Sequence, residues 1–192
     1  MNLAGGSLSH SGDESKRTAL ALRMKGGTFH GIVFGCARGN SCNGSRSMVL
    51  TGGQIMGWIT SGANGTVADA GQMDGYSFIY VGGNSKIDSN GNTAVWCHSA
   101  TGNVFGAGSG IDHTETRVSG SNTMGTNVTI ADNGYVERGV YGGGSFGYCT
   151  ATANIYITGG HVEGKKGGVN NGTSVNTGYN ADIQGGGRLI FC

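Results

Sequence analysis

The stretch IYITGGHVEG, residues 155–164, decides how the chain is read, because its plan recurs along the sequence. A short apolar run of strand-forming residues meets a Gly-Gly pair, here Gly159-Gly160. The same plan stands in LRMKGG ending at Gly27, MVLTGG at Gly53, FIYVGG at Gly83, VTIADNG at Gly134 and ADIQGGG at Gly187. The intervals are 26, 30, 51, 26 and 27 residues, and the long one is close to two of the others. A repeat of about 27 residues therefore organises the chain.

A second element follows within the period: GIVFGCARG at 31–39, NVFGAGSG at 103–110 and GVYGGGSFG at 139–147. The runs are rich in Val, Ile, Tyr, Phe and Thr and are bounded by Gly, Asn and Ser, which is strand and turn chemistry. Two short strands per period, with a third expected, predict an all-β fold: a single-stranded parallel β-helix, or β-solenoid, of about seven coils. Glycine would supply its corners, where positive φ and close backbone approach both favour a residue without a Cβ. Val49, Ile79, Val128, Ile155 and Ile157 are expected to point inward. Phe34, Phe105 and Tyr141 recur at one repeat position and read as a stacked core ladder. Residues 13–25, DESKRTALALRMK, read as a short helix, so residues 1–25 are taken as an N-terminal capping segment and 26–192 as the solenoid domain. Residues 84–102 and 111–127 depart from the repeat. A glycine-rich sandwich or barrel is the competing fold.

Composition agrees with a folded, strand-rich chain. Of 192 residues 41 are Gly and none is Pro, which excludes collagen and proline-rich stalks. Only 12 % are charged and the formal net charge is +1, so neither nucleic acid nor an anionic membrane surface finds an electrostatic footprint. No run approaches the roughly 18 apolar residues of a membrane helix, so membrane insertion is not expected. The five cysteines, Cys36, Cys42, Cys97, Cys149 and Cys192, form no CxxC pair, which argues against structural zinc. Cys36 and Cys42 could make a local bridge in an oxidising compartment, and Cys192 is a candidate for a bond between chains.

With IYITGGHVEG following VYGGGSFGYC, the chain resembles the glycine-rich repeats of large bacterial surface proteins, including autotransporter-like adhesins. That resemblance implies a right-handed β-helix, display at the cell surface and an adhesive or structural role. It brings no catalytic residues.

Searching for chemistry gives little. GGGSFG at 142–147 has the GxGxxG spacing, but the segment after it reads as strand, where the dinucleotide motif needs a helix N-terminus. GHVEGKK at 160–166 lacks the hydroxyl residue of a phosphate loop. GSGIDHT at 108–114 matches a calcium-binding nonapeptide once only, too little for a full oxygen shell. Asp112, His113 and Glu115, with Arg117, form the densest ionisable patch outside the N-terminus and are candidate ligand-binding residues; Glu137 and Glu163 read as outward strand residues. His30 and His161 both follow Gly-Gly but are too far apart in the repeat to share a metal. Trp58 and Trp96 do not align with one another and are the candidate surface aromatics for stacking on sugars. Asn43, Asn64, Asn127 and Asn171 head N-x-S/T sequences.

These readings lead to an extracellular or cell-surface, self-assembling structural protein, without enzymatic activity, cofactor or metal, partnered by itself or a larger parent polypeptide. A module binding glycan or a host surface is the alternative, and a polysaccharide lyase or hydrolase comes third.

Overall fold

The computed structural model describes residues 20–36, 42–63, 72–89, 101–109, 124–145, 149, 151–164 and 182–184. Among them are fifteen strands: β1 (Leu20–His30), β2 (Val33–Phe34), β3 (Cys42–Asn43), β4 (Arg46–Met56), β5 (Ile59–Thr60), β6 (Met73–Asp74), β7 (Tyr76–Val81), β8 (Lys86–Asp88), β9 (Val104–Phe105), β10 (Gly125–Ile130), β11 (Tyr135–Val136), β12 (Gly139–Tyr141), β13 (Ala153–Ile157), β14 (His161–Val162) and β15 (Asp182–Gln184). Every pairing between them is parallel.

Eight strands make one sheet, and β4 is its pivot. Arg46–Leu50 pairs with β7 and Gln54–Met56 with β8; one branch continues through β10 to β13, the other through β11 to β14. β1 runs along the other side of β4. The Gly-Gly pairs of these two long strands lie inside them, with Gly27 at φ 84° and Gly53 at φ 88°. Such angles suit glycine, and they turn the strand without ending it. A Cβ on Gly53 would stand 2.7 Å from the Gly27 carbonyl oxygen, so the two bends also approach too closely for a side chain. The sheet is thereby curled into a half-barrel.

A second sheet, in the order β15-β12-β9-β5-β2, faces the hollow of the first, and β3 pairs with β6 apart from both. The main core lies between the two larger sheets. Met48, Leu50, Ile79, Val81, Val128 and Ile130 come from the curled sheet, and Val33, Ile59, Val104 and Val140 from the other. Strict alternation explains the choice: in β7 Ser77, Ile79 and Val81 are buried while Tyr76 and Phe78 are exposed. Hydroxyls at the first inward position bridge the sheets. Ser77 Oγ donates to Gly106 O at 2.6 Å and Thr126 Oγ1 to Gly142 O at 2.6 Å, so these buried groups are paired rather than stranded. Beside this core, Trp58 meets Phe34 edge-on at 5.3 Å and Phe105 at 5.5 Å, and Phe105 stacks on Tyr141 at 5.1 Å.

The expected single-stranded β-helix of about seven coils is overturned. The described strands form a parallel sheet curled into a half-barrel, and the repeat does not keep one length. Along the branch β1-β4-β7-β10-β13, Leu20, Arg46 and Ser77 pair in turn, then Thr126 and Ala153, with steps of 26, 31, 49 and 27 residues. Gly-Gly in β1 and β4 bends a continuous strand and does not form the expected corner between separate ones. All-parallel pairing with crossovers this long is the sheet arrangement of α/β-type folds. No helix lies among the described residues. The helix expected over 13–25 is likewise corrected for residues 20–25, which belong to β1; residues 13–19 lie outside the described residues.

Candidate functional site

The outer face of the curled sheet is built by the residues that alternate with the core. On β7 these are Tyr76, Phe78 and Tyr80; on β10, Asn127 and Thr129; on β13, Asn154 and Tyr156. Phe78, Asn127 and Asn154 share one register column, and Tyr80, Thr129 and Tyr156 the next. Tyr76 is 42 % exposed, Phe78 43 % and Tyr156 50 %. The Tyr76 and Phe78 rings lie 6.0 Å apart at 33°. Asn154 Nδ2 donates to Asn127 Oδ1 at 3.2 Å.

Tyr80 is pinned. Its hydroxyl donates to Asp132 Oδ2 at 2.6 Å, and the same oxygen accepts from the Gly83 amide at 3.0 Å. Asp132 stands in the turn after β10 at φ 52°, an angle that a short carboxylate side chain tolerates when it bonds locally. The hydrogen bond from Tyr80, then that from Gly83, hold the Asp132 carboxyl below its ordinary value, and the same bond raises the Tyr80 phenol. With a lowered folded pKa, Asp132 contributes above the ordinary aspartate range and loses that contribution as pH falls through the folded value. With a raised one, Tyr80 contributes below 10.0 and loses it as pH rises through the folded value. The clamp is expected to hold throughout the neutral range. Absorbance titration of the tyrosines should show a phenol ionising above 10.0, and Asp132→Asn should bring it back.

Around the bend the outer face changes character. Lys86, Tyr135 and His161 share a column, the Tyr135 ring lies parallel to the His161 imidazole at 5.8 Å, and the Tyr135 hydroxyl donates to the Glu163 carboxylate. Gln54 Nε2 donates to both oxygens of Asp88 at 2.9 Å. Among the described residues no three of His, Cys, Asp and Glu gather to hold a metal, and no helix is long and apolar enough to cross a membrane.

Among the described residues no strand pairs with the outer side of β1 or of β13, and these two edges form the second feature. Leu50, Val81 and Ile130 are 1 %, 0 % and 0 % exposed, yet Ile157, next in the same inward column on β13, is 44 % exposed. Ile155 beside it is half-buried where Met48 and Val128 are fully enclosed, and on β1 Leu22 and Met24 are half-buried too.

Several expected positions are corrected by these contacts. Trp58 is fully buried, so it is no surface platform. Its neighbours explain why: Ile59 pairs with Val33, which puts GWIT at 57–60 in the place of GIVF at 31–34 and Trp58 in that of Ile32. Val49 faces outward, since Met48 and Leu50 take the inward positions. Glu137 is buried and accepts bonds from the Ser89 amide and hydroxyl. Trp96, Asp112, His113, Glu115 and Cys192 lie outside the described residues. Cys36 is buried and disulfide-bonded, Cys149 keeps a free thiol, and the Cys42 side chain lies outside what is described. No protein-family model, curated protein or solved structure matches the chain.

Proposed function

We propose that the chain is a structural protein of the cell exterior that assembles with copies of itself through the edges of its curled sheet. The exposure of Ile157 carries this reading. An isoleucine at an inward position is stabilised by burial of roughly 25 cal/mol per Å² of apolar area, and a further layer over β13 would supply that burial. The other edge, along β1, offers Leu22 and Met24 in the same two inward columns as Ile155 and Ile157. A second copy that sets its β1 against β13 therefore continues both the parallel direction and the alternation. Such a contact is head-to-tail, and head-to-tail contacts that do not close into rings grow into filaments. The disulfide at Cys36 supports the location, because oxidising compartments preserve such bonds and the cytosol removes them.

The experiment is electron microscopy and sedimentation of the pure chain over a concentration series. Regular polymers that lengthen with concentration are expected, and Ile157→Lys should leave a folded monomer with unchanged circular dichroism. Monomers at every concentration, or polymers indifferent to Ile157→Lys, would overturn the reading. Polymers that dissolve on adding reductant and do not form from Cys192→Ser would assign assembly to that thiol instead of the sheet edges, whereas loss on reduction with Cys192→Ser still polymerising would point to the Cys36 disulfide.

A further inference from the structure

The outward face of β7, β10 and β13 has no role in edge-to-edge assembly, yet it carries three aromatic rings that are about half exposed. Along β7 the rings of Tyr76, Phe78 and Tyr80 follow at intervals of about 6.6 Å, and Tyr156 lies two strands from Tyr80, about 9.5 Å away. Two ligand classes are disfavoured by magnitude. The strands YSFIYV, GTNVTI and ANIYI hold no acid, lysine, arginine or histidine, and the charges beside them, Asp132 on Tyr80 and Arg23 two strands along the Tyr80 column, are of opposite sign, so a charged polymer gains little net Coulomb attraction here. The exposed rings offer roughly 90 Å² each, taking about 200 Å² per aromatic side chain. Their sum is well short of the ~800 Å² per partner of a stable protein interface. It suits a few flat rings.

What the face does combine is apolar ring surface with uncharged hydrogen-bonding groups at the same spacing. Asn127 and Asn154 lie in the column of Phe78, and Thr129 lies between Tyr80 and Tyr156. A pyranose has the same two characters, a face of C–H groups and a rim of hydroxyls. The partners are also held in advance: Tyr80 by Asp132, Asn127 by Asn154, and Tyr76 by Phe78. Held side chains lose little freedom on binding.

We propose that this face binds an uncharged polysaccharide, with sugar rings on Tyr76, Phe78, Tyr80 and Tyr156 and hydroxyls bonded to Asn127, Thr129 and Asn154.

Calorimetric titration of the full chain with cellohexaose, xylohexaose and mannohexaose, and with hexagalacturonate as the anionic comparator, tests this. At least one neutral hexasaccharide is expected to bind, with affinity unchanged between about 0.05 and 0.5 M salt because no charges are paired. Phe78→Ala should weaken that binding about tenfold, and Tyr76→Ala and Tyr156→Ala each by several-fold. Since Phe78 points away from the core, its variant should melt like the parent, and Lys86→Ala around the bend should bind like the parent. Failure of all three neutral sugars, an affinity that survives Phe78→Ala, or binding confined to hexagalacturonate would overturn the proposal. The readout is independent of assembly, because Phe78 lies on β7, two strands from the edge that Ile157→Lys disables.

Discussion

Trp58→Ala is expected to cost about 3–5 kcal/mol, the range for emptying the site of a large buried aromatic. Against the 5–15 kcal/mol by which domains are ordinarily stable, that is a large share of the total. Trp58 is fully enclosed, with Phe34 edge-on at 5.3 Å and Phe105 at 5.5 Å, so its removal leaves two rings facing a void. Each lost ring pair forfeits a further ~0.5–1.5 kcal/mol beyond the area term. Trp58→Phe should behave quite differently. The indole Nε1–H is buried without a hydrogen-bond partner, and leaving such a donor unpaired costs about 1–3 kcal/mol, which phenylalanine avoids while keeping most of the ring. Urea unfolding of the three proteins should therefore rank the parent and Trp58→Phe together, within about 1 kcal/mol, with Trp58→Ala far below. An alanine variant as stable as the parent would mean that the indole does not fill this core.

How Trp58 was misread shows where sequence reasoning ran out. The ladder of Phe34, Phe105 and Tyr141 was legible because aromatic residues recur at one place between glycines, and Phe105 does stack on Tyr141. Trp58 enters the same cluster two residues earlier, from a copy of the repeat in which Thr60 stands at the ladder position, so no aromatic marks that copy at the expected place. In MVLTGG three apolar residues run together, so alternation alone leaves two registers, and a one-residue slip exchanges Val49 for Met48 and Leu50. IYI has no such ambiguity, because only one register buries both isoleucines and turns the tyrosine out. The edge at β13 was not legible at all. Ile157 resembles Ile130 in sequence, and its 44 % exposure follows only from its having a neighbouring strand on one side among the described residues. Gly-Gly was readable as a bend, but its effect depends on whether the strand continues beyond it. In β1 and β4 it does, and a curled sheet results.

The bends also separate two reasons for glycine that sequence leaves fused. Val81 pairs with Ile130, so Gly83 and Asp132, each two residues further on, occupy the same corner of adjacent turns, at φ 57° and 52°. Asp132 demonstrates that the angle itself admits a side chain. Gly83 has a second constraint, since a Cβ there would lie 2.8 Å from the Thr51 carbonyl carbon and nearer still to its oxygen. Backbone cannot swing aside as a flexible side chain can. Gly83→Ala is therefore expected to destabilise by about 3 kcal/mol, the left-handed angle contributing roughly 1–2 and the overlap the remainder. Gly83→Asn decides between the causes, because asparagine accepts the angle but not the overlap. It should recover at most about 1 kcal/mol of the loss. Asp132→Gly, which relieves the angle and gives up the clamp on Tyr80, should change the midpoint far less. Thermal and urea unfolding of the three variants would measure this. A Gly83→Asn protein as stable as the parent would show that the corner asks only for positive φ, and that Thr51 can yield.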